Sequence, residues 1–199
     1  MIITYVKEPL PYIVIDKTFT PDELKLIYRE LEFIQPKLLE ASETASALDK
    51  NGEYKKQNKG VFLDEIYNRR IFSDILTVNR KFFTKDNINA YPKCHPAYAS
   101  IYTLTKDSTL ISYYETSDHY KSHSDSSVIS ICTWFFKEPK NFTGGDFIFS
   151  DYDITIPVRN NMSIVFLGCY PHEVSKINLL DPSVNCSGRF TMSIFLTHR

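Results

Sequence analysis

From residue 97 onward the chain reads as a succession of short β-rich runs without intervening helices. These runs are AYASIYTL, TLISYYE, SVISICTWFF, DFIFS, MSIVFLG and RFTMSIFL, separated by turn material such as PKNFTGG and DPSVNCSG. β-Branched and aromatic runs bounded by Gly, Pro, Asn and Asp specify antiparallel strands, and several in succession specify a sandwich or barrel. Gly144-Gly145 and Gly188 precede two of the runs and mark tight turns. Aromatic residues make up 14% of the chain, 14 Phe and 13 Tyr against one Trp, which suits strands and a lined pocket.

The first third has a different period. PYIVID reads as a strand, followed by TFTPDELKLIYRELEFI. Thr20, Pro21 and Glu23 form a capping-box start, and Leu24, Ile27, Tyr28, Leu31 and Ile34 recur at helical spacing. Pro36 ends that helix. KLLEASETASALDK reads as a second helix, and NGEYKKQNKG as an exposed loop, with a substrate-facing lid as its second reading. Residues 60 to 83 give a short apolar run and then helical periodicity through Ile71, Ile75, Val78 and Phe82. The expected class is α+β with a mainly β core. It forms a single domain over 1–199, residues 1–96 being a helical support and 97–199 the β core.

Totals exclude several functions. Net charge is −1, so no global field draws the chain to nucleic acid or to a membrane surface. No window approaches the ~18 apolar residues of a membrane span, and the N-terminal segment lacks a signal-peptide core. Cys94, Cys132, Cys169 and Cys186 show no CxxC spacing, and Cys132 and Cys169 lie in apolar runs that suit buried thiols. A cytoplasmic location is expected from this usage.

The last strand divides into two faces. Phe190, Met192, Ile194 and Leu196 share one, which the N-terminal helices would cover; Arg189, Thr191 and Ser193 share the other. A cavity lined by a guanidinium, a threonine and a serine calls for an anion.

One H-x-D occurs in the chain, His123-Ser-Asp125. On a strand or its extended end, both side chains point the same way. His172, just after MSIVFLG, is the best third ligand, and two histidines with one carboxylate form the open-sided facet of non-haem Fe(II) oxygenases. His119 has no acidic partner at strand spacing and reads as exposed; His95 and His198 read as structural or solvent-facing.

As an ordered set the candidate residues are specific. Tyr114-x-x-Ser117-x-x-Tyr120-x-x-His123-x-Asp125, then GGDFIF, then His172-Glu-Val, then Arg189 resembles the 2-oxoglutarate/Fe(II)-dependent oxygenases, in their prolyl 4-hydroxylase-like branch. Ser117 stands where the motif has glycine, and the interval from His172 to Arg189 is longer than the family's. The resemblance implies a double-stranded β-helix, or jelly roll, with the helices on its outer face. It implies Fe(II) held by His123, Asp125 and His172, and 2-oxoglutarate as co-substrate with its distal carboxylate on Arg189. It assigns Tyr114, Thr191 and Ser193 as further cofactor contacts, places Tyr120 beside the metal, and brings O2 and ascorbate as partners. Of Tyr113 and Tyr114 only one can face inward, and the motif favours Tyr114.

The implied reaction oxidises 2-oxoglutarate to succinate and CO2 while hydroxylating a C–H bond, with a prolyl or other protein side chain as the favoured substrate. A free amino acid or small metabolite is an alternative substrate. Nucleic-acid demethylation of the AlkB type is disfavoured, because Phe195 stands where that group has a second arginine. A binding module without turnover, or one holding zinc structurally, is the competitor from another class.

Overall fold

The structure, a computed structural model, describes residues 1–44, 51–184 and 186–198. In chain order its elements begin with β1 (Ile2–Val6), β2 (Tyr12–Asp16), α1 (Pro21–Ile34), β3 (Lys59–Phe62), α2 (Leu63–Ile66), α3 (Asp74–Val78) and α4 (Lys85–Ala90). They continue with β4 (Lys106–Tyr114), β5 (Tyr120–His123), β6 (Ile129–Phe135), β7 (Phe142–Thr143) and β8 (Phe147–Phe149). The last are β9 (Ile154–Ile156), β10 (Met162–Leu167), β11 (His172–Val174), β12 (Asn178–Leu179) and β13 (Arg189–Thr197).

A seven-stranded sheet runs β1-β2-β10-β6-β13-β4-β3, a four-stranded sheet β5-β11-β8-β9, and β12 pairs with β7. Every one of these pairings is antiparallel. The molecule is mainly β with a few helices, as the sequence led one to expect. Pairing in the large sheet joins both ends of the chain, since β2 lies beside β10 and β13 lies between β6 and β4.

The two faces of the large sheet feed two separate cores. One packs Phe190, Met192, Ile194 and Leu196 of β13 against Ile27, Leu31 and Ile34 of α1 and the turns carrying Tyr91 and Tyr98. The other packs Trp134, Ile164 and Phe166 of the large sheet against Phe147, Phe149 and Val174 of the small one. Fully burying each such side chain contributes about 1.5–3 kcal/mol. α1 starts as expected: the Thr20 side chain accepts from the Glu23 N–H and the Glu23 carboxylate accepts from the Thr20 N–H.

Four local expectations change. AYASIYTL is not a strand but part of a 3-10 segment, Pro96–Tyr102, which Pro96 opens and the His95 side chain caps by accepting from the Ala97 N–H. Tyr98 and Ile101, three apart, are its buried pair, whereas strand alternation would bury Tyr102, which is 58% exposed. The periodicity through Ile71 is broken because Ser73 restarts the chain as the cap of α3, leaving Ile71 exposed. Of the helix expected at 37–50, residues 37–44 form isolated 3-10 turns and 45–50 lie outside the described residues. Cys169 is exposed in the turn after β10, whereas Cys132 and Cys94 are buried.

Candidate metal centre and its anion pocket

β5 ends on His123, β11 begins on His172, and the two are paired directly across the ladder. Directly opposed side chains share a face, and the imidazole centroids lie 4.3 Å apart. Asp125 follows past the strand end, where its N–H donates to the Gly168 carbonyl at 2.8 Å and so fastens the loop to the end of β10. One ligand atom from each of His123, Asp125 and His172 lies within 4.8 Å of the others. The Asp125 oxygens stand 3.8 Å from His123 Nε2 and 3.8 Å from His172 Nε2.

Backbone carbonyls set the chemical state of both rings. His123 Nδ1 lies 2.9 Å from the Lys121 carbonyl and His172 Nδ1 2.9 Å from the Tyr170 carbonyl. A carbonyl only accepts, so each Nδ1 carries a proton, and each Nε2 is the ring nitrogen turned toward Asp125. Burial, then the neighbouring His172, pushes the His123 pKa down to about 3, so its ring is neutral near pH 7. Burial raises the Asp125 carboxyl pKa, against the pull of His172 and of the Ser130 hydroxyl.

A polar and aromatic shell holds these groups. Ser130 Oγ donates to Asp125 Oδ2 at 2.5 Å and is itself 2.7 Å from Ser127 Oγ. Tyr120 stacks on His123 with centroids 3.6 Å apart, and Phe147 stacks on His172 at 5.1 Å. Two imidazole nitrogens and one carboxylate, walled on their flanks, form a donor set suited to a divalent transition metal.

Arg189 opens β13 on the inner face and is 0% exposed. One terminal nitrogen donates to the Gly145 carbonyl, and the guanidinium carbon lies 4.4 Å from the Tyr114 ring centroid. Among the described residues its Nε and Nη2 have no partner, nor has the buried Thr191 hydroxyl two residues along the same face. Burial lowers the Arg189 pKa, with Tyr114 among the groups opposing it, and burial raises that of Tyr114. Two unpaired donors of a buried guanidinium beside an unpaired hydroxyl fit a bidentate carboxylate.

The turn that carries Gly145 is built for this contact. Gly144 and Gly145 sit at φ 68 and 70, in the left-handed region, and a Cβ on Gly144 would collide with the Lys176 carbonyl.

The structure therefore brings His123, Asp125 and His172 to one point, and puts Arg189, Tyr114 and Thr191 around a second. Ser193 is on the same inner face, 3.5 Å from Cys132 Sγ. Tyr113 points the other way into the helical core, against Phe190, and its hydroxyl accepts from the Gly188 N–H. His119 is half-buried rather than exposed, with Nδ1 3.2 Å from the Ser117 carbonyl, and does not join the cluster.

Sequence reading missed Ser130, Cys132 and the Gly145 carbonyl. Ser130, Cys132 and Trp134 alternate onto the inner face of β6, opposite Phe195, Ser193 and Thr191 of β13. That face thus connects the Asp125 end to the Arg189 pocket. The signal was the odd-even alternation of SVISICTW, polar where Ser130 should have been a core residue.

No family model matches the chain, and no curated protein matches it by sequence. Solved structures do match in fold. A Pseudomonas putida prolyl-4-hydroxylase gives a TM-score of 0.65 at 14% identity, covering 96% of this chain and 94% of that one. A Burkholderia pseudomallei oxidoreductase of the 2OG-Fe(II) oxygenase family gives 0.58 at 13%, covering 94% and 85%. A viral collagen prolyl hydroxylase from Paramecium Bursaria Chlorella virus-1, in complex with 2OG, gives 0.54 at 11%, covering 96% and 97%. The chain has the fold of the 2-oxoglutarate/Fe(II) oxygenase superfamily. Within that superfamily, prolyl hydroxylases are among the structures it is similar to.

Proposed function

We propose that the protein is an Fe(II)- and 2-oxoglutarate-dependent dioxygenase of the prolyl 4-hydroxylase-like branch, built as a double-stranded β-helix. Its substrate would be a C–H bond of a prolyl or other protein side chain. The observation that carries this reading is the pairing of two complementary sites, a convergent His-Asp-His donor set and a buried arginine with unpaired nitrogens. Iron bound at the first would couple decarboxylation of 2-oxoglutarate to hydroxylation, with O2 as oxidant and ascorbate as accessory reductant.

The chain's own residues have separable tasks. His123, Asp125 and His172 would hold the metal, and the Lys121 and Tyr170 carbonyls fix the tautomers that let them do so. Arg189 would take the distal carboxylate through Nε and Nη2, with Thr191 donating beside it and Tyr114 and Ser193 bordering the same pocket. Tyr120, Phe147 and Phe166 exclude water from the imidazoles. The buried Cys94 and Cys132 thiols suit the reducing cytoplasm.

The test is anaerobic titration of the full chain with Fe(II) and 2-oxoglutarate, followed by succinate measurement in air. Succinate release that His172→Ala abolishes is the expected result. No succinate from the wild type, together with tight zinc retention, would mean a metal-binding module without turnover.

A further inference from the structure

Between residues 54–59, the turn Ala41–Glu43 and the turn after β4 lies a cleft of about 290 Å³. It is not at the metal triad, yet it shares a wall with it. The Lys121 N–H donates to the Lys55 carbonyl at 2.7 Å and the Gln57 N–H to the His119 carbonyl at 3.0 Å. These bonds lay residues 55–57 along the edge of β5, and Lys56 bridges to Tyr120, the residue stacked on His123. The polar stretch NGEYKKQNKG is thus pinned beside the candidate metal centre at its C-terminal half.

The lining is short of positive charge. Glu40, Glu115 and Asp118 line the cleft together with Lys56 and Lys59. Lys59 is committed to Glu40 at 3.3 Å and Glu115 at 3.7 Å, and the Lys56 ammonium lies 5.8 Å over the Tyr120 ring. One carboxylate remains in excess. Asp118 accepts from the Glu115 N–H at 2.8 Å, yet burial still pushes its carboxyl pKa up to about 6.

Independently of the charges, Asn58 lines the cleft at 6% exposure, and its Oδ1 has no partner among the described residues. An amide oxygen has lone pairs only to offer, so what it lacks is a donor. A bare anion would meet the excess carboxylate and leave Asn58 unanswered. A lysine or arginine head supplies charge and N–H groups together.

We infer that this cleft recognises a cationic side chain, lysine or arginine, of a polypeptide substrate, close in sequence to the residue presented at the metal centre. The volume of about 290 Å³ is ample for one long side chain. The inference rests on the oxygenase reading for the identity of the substrate, and on Asn58, Asp118 and Glu115 for its charge.

Blocked pentapeptides Ala-Lys-Pro-Ala-Ala and Ala-Ala-Pro-Lys-Ala, with norleucine and glutamate counterparts, test it by NMR titration of the full nitrogen-labelled chain. At least one lysine peptide should bind roughly tenfold more tightly than its norleucine partner, since a charge-assisted hydrogen bond is at stake. It should also shift the Asn58 side-chain amide and the backbone amides of 115–118. Asn58→Leu and Asp118→Asn should each remove that preference, while Asn58→Asp, similar in size and more acidic, should enlarge it. Equal binding of lysine and norleucine peptides, tighter binding of the glutamate peptides, or no binding by any of them overturns the inference. Titration of 2-oxoglutarate in the same samples separates the two readings. Its binding without a lysine preference removes the cleft and leaves the oxygenase, whereas a lysine preference without it supports the cleft and removes the oxygenase.

Discussion

The two faces of β13 differ in what they leave undone. On the helical side Phe190, Met192, Ile194 and Leu196 are buried in an apolar core that asks for nothing further. On the inner side Arg189 and Thr191 are as deeply enclosed, yet three of their polar atoms have no partner among the described residues. One strand therefore carries a face that stabilises the fold and a face that keeps polar atoms available for a ligand. The same alternation runs through β6, where Ile131 packs on the helices while Ser130 holds Asp125.

The sharpest way to test that division is Met192→Ala. It should cost about 2–5 kcal/mol of stability by denaturant unfolding, with 2-oxoglutarate affinity unchanged in the surviving folded protein. Arg189→Met should do the reverse: roughly a hundredfold loss of 2-oxoglutarate affinity with unfolding stability equal to or above that of the wild type without ligand. A large loss of stability from Arg189→Met would mean that the arginine is structural and the comparison wrong. Ser130→Ala should weaken Fe(II) or Mn(II) binding by about 10–100-fold, measured by competition with a chelator, because it removes the donor that orients Asp125. Ser117→Gly touches neither face and should be the mildest. Ser117 sits at φ 78, where a side chain is strained, so glycine should raise the denaturation midpoint by the equivalent of about 0.5–1 kcal/mol.

Ser117 also shows how a departure from a motif reads in three dimensions. The serine keeps the left-handed conformation that a glycine would take freely, with its N–H donating to the Ile177 carbonyl at 2.8 Å. The long interval after His172 is likewise built in: Ile177 is fully buried and β12 pairs with β7. From sequence this stretch was only an insertion, because a two-residue strand has no period to detect.

Legibility followed the range of the interactions. α1 could be read because its cap and its apolar stripe are local, and the two faces of β13 could be read because alternation is local too. The 3-10 segment at Pro96–Tyr102 could not, since aromatic and β-branched residues there mimic a strand until the His95 cap and Pro96 decide otherwise. The spacing His123-x-Asp125 and the position of His172 nominated three ligands by type and order.

What the sequence determined by itself is a mainly β chain with a helical support, a candidate donor set, and an arginine on the inner face of its last strand. Tertiary structure decided which atoms meet. Register alone sets His172 opposite His123, the Lys121 and Tyr170 carbonyls alone choose the Nδ1–H tautomers, and the packing of Gly145 against Arg189 alone leaves two nitrogens unpaired. Each of these joins groups from different elements or depends on backbone direction, and no local pattern of side chains encodes either.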